Sequence, residues 1–483
     1  MKRRLVLAAL SLTVLACGED TTFPLPQTMQ LVFAVQPSAT EGDATIAPPL
    51  VVAIRDRSGA TVRKATTAVT LSLGANPSGA TLLGTTTVNA VAGVATFTDI
   101  RVDRPGSGYT LVARVTALPA ETSAPFDVHL SFVQVTVGIF HSCGLTQHGF
   151  AYCWGSNDVG QLGDSTHVER LRPAPVAGGL TYTQLSAGGD HACGIIPGGT
   201  VYCWGSNFTG QLGDSSMENR VLPTRIAGGL AFSQLSAGSF HTCGLTLTNE
   251  AYCWGSNLFG ALGDGTGSLR LVPTPVGGGL HFTQLSAGGV HTCGIATGNV
   301  AYCWGWNGGG QLGDSTTATR PTPTPVYGGL PFMEISANPG SDFEGHTCAV
   351  TTGSAAYCWG TNYNGELGDS TINGHPFPMA VFGTLQVGYV GAARGYACAL
   401  TNGQTLHCWG VNADGELGDG TTAAHLTPNP VSGSLDIVQV SARFDHACGI
   451  TVSHVAYCWG TNDHGQLGDG TTTARLAPTR VIQ

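Results

Sequence analysis

The chain has 483 residues, of which 70 are glycine and only 10% are charged, and its formal net charge is -10 at neutral pH. From residue 132 onward it carries 21 acidic residues, 10 arginines and no lysine, so it lacks a basic surface that could replace the counterions of a nucleic acid. We therefore expect no nucleic-acid partner, and the glycine-rich, charge-poor composition favours a rigid all-β protein.

The first residues have the layout of a bacterial secretion signal. Basic residues at 2–4 precede an apolar run over 5–15, which is too short to span a membrane. The run then ends in a segment, Val14–Cys17, that resembles the lipoprotein cleavage box. This resemblance implies that 1–17 is a signal peptide with Cys17 as the lipidation site, followed by a linker over 18–27. A plain secreted protein, cut nearby, is the alternative.

The next segment, 28–128, contains alternating apolar runs at turn-separated intervals, as a β-sandwich requires. The predicted strands fall within 31–36, 50–56, 68–75, 93–100 and 109–117. The segment resembles bacterial immunoglobulin-like domains through Pro37, Pro49, Asp56, Gly59, Tyr109 and Leu111. Such domains usually act as spacers, and the segment has no cysteine and no cluster of reactive side chains, so we expect a stalk.

From 132 to 483 one unit of about fifty residues is written seven times, with a single longer step in the fifth unit. A period in this range is typical of propeller blades or solenoid units. Each unit has room for four short strands separated by Gly, Asn, Asp and Pro, and none has a helical period. The G-x-L-G-D segment of each unit predicts a turn, because glycine tolerates positive φ and aspartate bonds its own backbone.

The motif W-G-x-N-x-x-G-x-L-G-D makes the comparison specific, since it resembles the repeat of the regulator of chromosome condensation family. The tryptophan position is filled in all seven units, by Trp154, Trp204, Trp254, Trp304, Trp359, Trp409 and Trp459. The resemblance implies a seven-bladed β-propeller over 132–483, preceded by the β-sandwich. It also implies a possible activity, guanine-nucleotide exchange on a small GTPase, as in intracellular members of the family.

Fourteen cysteines form seven pairs, and the two members of each pair are ten residues apart. This spacing places them on adjacent antiparallel strands with Cα atoms about 4.5–5.5 Å apart, within disulfide range. Zinc binding is the competing interpretation, but zinc sites prefer closer cysteine spacing and four converging ligands. The expected intrablade disulfides, which would persist only in an oxidising compartment, are Cys143 with Cys153, Cys193 with Cys203, Cys243 with Cys253, Cys293 with Cys303, Cys348 with Cys358, Cys398 with Cys408, and Cys448 with Cys458.

A histidine precedes the first cysteine in six units, and Tyr396 takes its place in the sixth unit. A ring of histidines near an axis could bind a metal or an anion. We favour a simpler interpretation, in which each imidazole satisfies a turn carbonyl of its own blade. No catalytic motif stands out from the repeats, so we expect no enzyme, no catalytic residue, no metal and no cofactor.

The runs P-T-P-V, F-T-Q-L-S-A-G, T-C-G-L-T and A-Y-C-W-G are the four predicted strands of a unit. If they pair in this order as an antiparallel sheet, the turn before each histidine and the long loop after each tryptophan lie at the same end of the sheet. Their frame is constant while a few positions vary between units, as on a recognition surface; unselected drift of solvated loops is the alternative. An insertion at 338–345 in the fifth unit falls on the same side. The candidate binding residues are Phe140, Asp158, Asp190, Phe208, Phe240, Phe259, Asp342, Phe343, Tyr363, Asp414, Phe444, Asp445 and Asp463.

The strand order also predicts how the ring closes. The segment 477–481 copies the strand expected to precede F-T-Q-L-S, whereas the first unit begins directly at Phe132. We therefore expect the C-terminal strand to complete the first blade and remove an open edge.

Together these features predict a non-enzymatic, lipid-tethered propeller that binds a protein or glycan at the cell envelope. The membrane contact would be through the lipid anchor alone, in an outer-membrane or cell-surface lipoprotein, with a periplasmic or secreted protein as the alternative. Enzyme inhibition is a sharper variant, by analogy with a secreted β-lactamase inhibitor built from similar repeats. Nucleotide exchange is the rival function, and it would require a reduced, cytoplasmic protein.

Overall fold

The computed structural model describes residues 29–42, 44–340 and 345–482. The signal segment with Cys17, and Asp342 and Phe343 in the fifth unit, lie outside the described residues. The chain divides into two compact units between Val128 and His129. Among the described residues, helices of the length and apolarity needed to cross a membrane are not found.

The N-terminal unit is built entirely from strands around one apolar core. Its strands β1–β12 are Gln30–Val35, Thr40–Glu41, Leu50–Arg55, Ala68–Leu73, Leu82–Leu83, Thr87–Asn89, Val94–Phe97, Arg101–Val102, Gly106–Tyr109, Leu111–Arg114, Glu121–Thr122 and Phe126–His129. They form the sheets β1-β3-β7, β11-β10-β4-β6 and β2-β12-β9, with a small β5-β8 pair. Inward-facing side chains such as Phe33, Leu71 and Phe97 fill the core, as the alternating pattern predicts. The β-sandwich fold is thus confirmed, while the immunoglobulin-like relationship stays a prediction.

The C-terminal unit consists of seven four-stranded antiparallel sheets, which we call blades one to seven in chain order. The first strands of successive blades contact one another all the way round, including β37 with β13, so the blades form a closed ring. Leu258–Gly260 adds one 3-10 turn. The blades are β13–β16 (Gln134–Val137, His141–Leu145, Ala151–Gly155, Arg170–Pro175), β17–β20 (Gln184–Ala187, His191–Ile195, Val201–Gly205, Arg220–Arg225), β21–β24 (Phe232–Ala237, His241–Thr246, Ala251–Gly255, Arg270–Pro275), β25–β28 (Phe282–Ala287, His291–Ala296, Val300–Gly305, Arg320–Pro325), β29–β32 (Phe332–Ala337, His346–Thr351, Ala356–Gly360, His375–Ala380), β33–β36 (Val387–Ala392, Tyr396–Thr401, Leu406–Gly410, His425–Pro430) and β37–β40 (Ile437–Arg443, His446–Thr451, Ala456–Gly460, Arg475–Arg480).

All seven predicted disulfides are present, and each joins the second and third strands of one blade. Their Cα–Cα separations of 4.0 to 4.1 Å are slightly shorter than we expected from strand geometry. The sulfurs are fully buried, and each bridge packs against the tryptophan of the next blade, as Cys143 and Cys153 do against Trp204. Each disulfide therefore belongs to the core between two blades.

The predicted strand order within a blade is wrong by one strand. The P-T-P-V run pairs with the A-Y-C-W-G strand of its own unit, through Tyr252 with Pro275 and Cys253 with Thr274, and so forms the outer strand. The reason lies in the links that follow it. Gly278 and Gly279, both at positive φ, turn the chain into the next blade, so F-T-Q-L-S-A begins a new sheet.

The predicted ring closure is wrong for the same reason. The C-terminal strand β40 pairs with β39 through Arg480 and Tyr457, inside the seventh blade, and the first blade has its own outer strand β16. Contacts between complete blades close the ring instead: the Phe132 N–H donates to the His454 carbonyl at 2.8 Å, and Trp154 Nε1 donates to the Gln466 carbonyl at 2.9 Å.

The same tryptophan bond joins every pair of neighbouring blades. The indole of Trp204, for example, donates to the Gln161 carbonyl of the blade before it, at 3.0 Å. The glycine of each L-G-D segment lies against that indole: a Cβ on Gly163, which has a φ of +64°, would stand 2.8 Å from the Trp204 ring. The motif therefore links blades to each other as well as shaping a turn.

Candidate functional site

One end of the propeller carries the turns between first and second strands and the loops between third and fourth strands, and we call it the loop face. The two segments meet within each blade, where the Ser256 N–H donates to the Phe240 carbonyl at 2.9 Å. The hairpins between second and third strands, such as the one around Thr248, lie at the opposite end, the hairpin face. The predicted sidedness of the variable segments is thus confirmed, although the strand order used to derive it was not.

Each loop is held by an Asn–Asp frame whose members are buried. In the first blade, Asn157 Nδ2 donates to Asp164 Oδ1 at 3.0 Å, and Asn157 Oδ1 accepts the Leu162 N–H at 3.0 Å. Asp164 also accepts the Thr166 backbone N–H and hydroxyl, which confirms the predicted aspartate turn. Its second oxygen receives the Arg170 guanidinium at 2.8 Å.

These contacts determine the charge of the frame. Burial alone would raise the Asp164 pKa, but the hydrogen bonds from Thr166, Arg170 and Asn157 outweigh it and hold the pKa below its usual value. The carboxylate therefore stays ionised and already has its partners, which gives it a structural role. A histidine replaces the arginine in two blades, at His375 and His425.

Within this frame, the residue directly after the buried asparagine is exposed in all seven loops. Those residues are Asp158, Phe208, Leu258, Gly308, Tyr363, Ala413 and Asp463. Phe208 is 63% exposed and Tyr363 is 67% exposed, whereas the asparagines beside them, Asn207 and Asn362, are almost fully buried. The frame therefore presents one residue per blade to solvent, and in every blade except the fourth, which has Gly308, that residue carries a side chain.

The apolar candidates lie mainly on blades two to five. Phe259 on the third blade contacts Trp306 on the fourth with ring centroids 4.5 Å apart, and Phe240, also on the third blade, is 37% exposed. We did not predict Trp306, although its signal was present, since it replaces the serine or threonine of W-G-S-N in one unit only. Phe444 differs from the other candidates, because it is 5% exposed and packs inward.

The acidic candidates lie on the other side of the ring. Asp414, Asp445, Asp463 and Asp158 belong to blades six, seven and one, and Asp190 stands on the turn next to Asp158. Burial and then the Asp158 charge raise the Asp190 pKa, whereas His464 lowers it. Asp445 is 3.5 Å from Arg394.

Phe140 contacts the His464 ring at 4.9 Å on this acidic side, and His464 Nδ1 is 3.1 Å from Glu169. We did not predict Arg394 or Glu169, because no repeat signal marks them, whereas His464 fills one of the variable N-x-x-G positions of the repeat. The loop face therefore has an acidic side and an apolar side.

The histidines are fully buried, and four of them, His191, His241, His291 and His446, bond to hydroxyls of neighbouring blades, so our interpretation that each imidazole satisfies a carbonyl of its own blade is wrong. Where the next blade offers a hydroxyl, the imidazole bonds to it: His191 Nε2 is 2.9 Å from Thr242 Oγ1, and His241 Nε2 is 2.8 Å from Thr292 Oγ1. Thr242 in turn donates to the Gln211 carbonyl at 2.9 Å. The hydroxyl must therefore accept from Nε2–H, which defines a neutral tautomer.

Burial fixes the protonation state of these rings. It lowers the pKa of His141, His191, His291, His346 and His446 to about 3 and that of His241 to about 4. In the described part of the chain, no group of three or more His, Cys, Asp or Glu side chains is arranged to hold a metal ion. The six buried histidines are therefore part of the interfaces between blades.

Sequence models of the regulator of chromosome condensation (RCC1) repeat match at residues 132–161, 182–211, 232–261 and 437–466, and at 148–195, 198–245, 249–295, 405–450 and 454–483. Together these matches cover just over half of the chain. This chain belongs to the RCC1 repeat family. Curated protein sequences gave no significant match.

Solved RCC1-type structures share the fold. Human WBSCR16 superposes with a TM-score of 0.62 at 18% identity, covering 69% of this chain and 94% of that one. Prp20p from Saccharomyces cerevisiae, described with its binding to Gsp1p and histones, gives 0.62 at 20% identity, covering 73% of this chain and 88% of that one. The same yeast protein bound to Kap60 gives 0.61 at 19% identity, covering 73% and 85%. At these identities the likeness supports the RCC1 fold alone.

Proposed function

We propose that this RCC1-repeat protein is a non-enzymatic, exported binding protein whose loop face recognises a protein partner. The observation that carries the proposal is the exposed residue after each buried asparagine, because a rigid frame holds six different residue types at seven equivalent positions. Preorganised side chains lose little entropy on binding, which favours recognition. A glycan is the alternative partner, and the experiment below distinguishes it.

The polarity of the loop face indicates the chemistry of the partner. Exposed Phe208, Leu258 and Tyr363 can bury apolar area, whereas Asp158, Asp414 and Asp463 supply negative charge that steers a basic surface toward the ring. A partner with an apolar patch beside lysines or arginines would satisfy both sides. Binding should therefore weaken as ionic strength rises, without disappearing, because the apolar contacts are not screened.

The disulfides support export. Seven buried bridges form and persist only in an oxidising compartment, which a cytoplasmic exchange factor does not occupy. We therefore favour a location at the cell envelope, with Cys17 as the lipid anchor and the N-terminal unit as a spacer. Mass spectrometry of the membrane-extracted protein tests the anchor, since acylation would appear on an N-terminal Cys17; an unmodified secreted chain would contradict it.

The binding proposal needs a matched pair of variants. In the loop variant, Phe208, Leu258 and Tyr363 are changed to serine. In the hairpin variant, three apolar residues exposed at the opposite end, Leu247, Val300 and Val452, are changed to serine. Both lose three exposed apolar side chains, so a general loss of stickiness would affect them equally.

The oxidised full chain and both variants are immobilised and exposed to envelope proteins at low and physiological salt. A partner retained by the wild type and the hairpin variant, but lost by the loop variant, would support the proposal. Its identification by mass spectrometry, with protease or glycosidase treatment before capture, separates a protein from a glycan. Equal retention of the partner by all three chains would contradict recognition by the loop face. If a captured enzyme is inhibited by the protein, the partner is an enzyme and the protein acts as its inhibitor.

A further inference from the structure

The axis of the propeller has a repeating lining from which three blades depart at one position. On each first strand, three alternate residues face the axis. The third of these positions is glycine in four blades, at Gly138, Gly188, Gly238 and Gly288. There is little room for a side chain there: a Cβ on Gly188 would stand 2.2 Å from the His191 ring. The other blades hold Asn338, Ala393 and Arg443.

Arg443 is the exception, because one of its guanidinium nitrogens lacks a hydrogen-bond acceptor among the described residues. Asn338 satisfies its amide by donating to the Ala393 carbonyl at 2.8 Å and by pairing with His346 Nδ1 at 3.1 Å. Arg443 Nη1 is also shielded from solvent, but among the described residues it has no hydrogen-bond acceptor. A guanidinium N–H that is shielded from water and has no acceptor is costly, and an anion would supply both the acceptor and the opposite charge.

The charge of Arg443 reaches several blades, as expected for a group near the axis. It lowers the pKa of His141, His191 and His241 on blades one to three, and it also acts on Tyr389 on blade six. Burial lowers the pKa of Arg443 itself to about 10, so the guanidinium remains charged at neutral pH.

Glu334, the buried acid on the axis-facing surface of blade five, does not supply the missing charge. Burial raises its pKa to about 7, and its hydrogen-bond neighbour is Gln284. Its charge acts on Tyr389, and it is not among the groups that influence Arg443.

A cavity at the axis is lined by Ser441, two residues before Arg443 on the same strand, and by Tyr389, which interacts electrostatically with Arg443. It has a volume of about 300 Å³ and is lined by Thr136, Ser186 and Ser441 among others. Each of these hydroxyl oxygens already accepts a backbone N–H of the next blade, as Ser441 does from Val137 at 3.2 Å. The hydroxyl hydrogens are then left to donate, and a cavity that offers O–H groups beside a cation suits an oxyanion.

We propose that the propeller binds a small oxyanion, a carboxylate or a phosphate, on its axis, with Arg443 as the cationic ligand and the hydroxyls of Thr136 and Ser441 as further donors. This site is separate from the exposed side chains of the loop face. It does not depend on the function proposed above, because a free anion of this size needs only the cavity and the arginine.

Thermal unfolding of the oxidised full chain tests the site, with sodium phosphate and sodium acetate as probes and sodium chloride at equal ionic strength as the reference. A ligand that binds the folded state raises the melting temperature with the logarithm of its concentration, here by on the order of 2 °C for each tenfold increase above Kd. We expect this rise with phosphate or acetate beyond the effect of chloride. No excess over chloride with either probe would overturn the proposal.

The variants locate the effect. Arg443→Ala introduces the residue that blade six already has at this position, and it should abolish the excess stabilisation while leaving a folded ring. Arg394→Ala, which removes an arginine that is 50% exposed on the loop face, should retain it. A response that persists in Arg443→Ala would overturn the proposal. If that variant does not fold, Arg443→Gln, which keeps the length and hydrogen bonding but not the charge, decides the question in the same way.

Discussion

The unpaired imidazole of His141 offers a substitution that should stabilise the propeller. Both ring nitrogens of His141 are buried without a hydrogen-bond partner among the described residues. The reason is visible in the next blade, which has Ala192 where other blades have threonine. We predict that Ala192→Thr increases the free energy of unfolding, because it supplies the missing hydroxyl.

The magnitude follows from the blades that have this threonine. In one of them, His241 Nε2 lies 2.8 Å from Thr292 Oγ1, which itself lies 2.8 Å from the Ala261 carbonyl. Relieving one buried donor is worth about 1–3 kcal/mol. The added hydroxyl must be desolvated, but it can donate to the Gln161 carbonyl that already accepts from Trp204.

Ala192→Val is the matched control, since valine has the shape of threonine and the same preference for strands but no hydroxyl. Denaturant unfolding of the oxidised full chain should show the threonine variant more stable than the valine variant by about 1–3 kcal/mol. The same pair at Ala397 repeats the test at His346, whose Nε2 is also unpaired. Equal stability of threonine and valine at both sites would refute the reasoning.

Three further predictions concern the rest of the ring. Stability should be lost as pH falls below about 6.5, because the six buried histidines have folded-state pKa values of about 3 to 4 and the unfolded chain therefore binds more protons. Each histidine contributes roughly 1.4 kcal/mol per pH unit to this loss. Unfolding free energies that stay flat from pH 7 to pH 4 would contradict the prediction. The seven disulfides should resist reductant in the native protein, because their sulfurs are buried, and should become reducible only when denaturant is added. Alkylation of the free cysteines followed by mass spectrometry measures this. Rapid reduction without denaturant would show that the blades open. Arg220→Ala should lower the free energy of unfolding by about 1 kcal/mol, because Asp214 Oδ2 loses a cation 2.7 Å away. The control Arg225→Ala, on the exposed outer strand, should lower it less. Equal losses in denaturant unfolding would mean that the ion pair does not stabilise the loop.

The sequence predicted those features that each unit encodes within itself. Strand pairing of Cys243 with Cys253 follows from their spacing and the turn between them, and the aspartate turns follow from residue chemistry. The sidedness of the loops was also predictable, because it depends only on alternation of strand direction.

What the sequence could not show was how one unit meets the next. The predicted blade boundary was wrong because the P-T-P-V strand can pair with the strand before it or with the strand after it in the sequence. Only the link through Gly278 and Gly279 decides which pairing forms. The bond from His191 to Thr242 joins residues about fifty positions apart, and the surroundings of Arg443 Nη1 come from other blades. Which of these residues face one another is settled only when the ring is closed. Phe444 varies as a surface residue would, yet it is only 5% exposed, and the sequence gives no sign of the φ of 43° at this residue.

Because the ring closes without sharing a strand, its last joint has the same construction as the other six. Trp154 bonds to the seventh blade as Trp204 bonds to the first, and Leu130 and Val481 lie in one cluster where the chain enters and leaves the ring. The propeller consequently has no privileged first blade. Its order is circular, and a gene rearranged to begin at another link between blades would describe the same object.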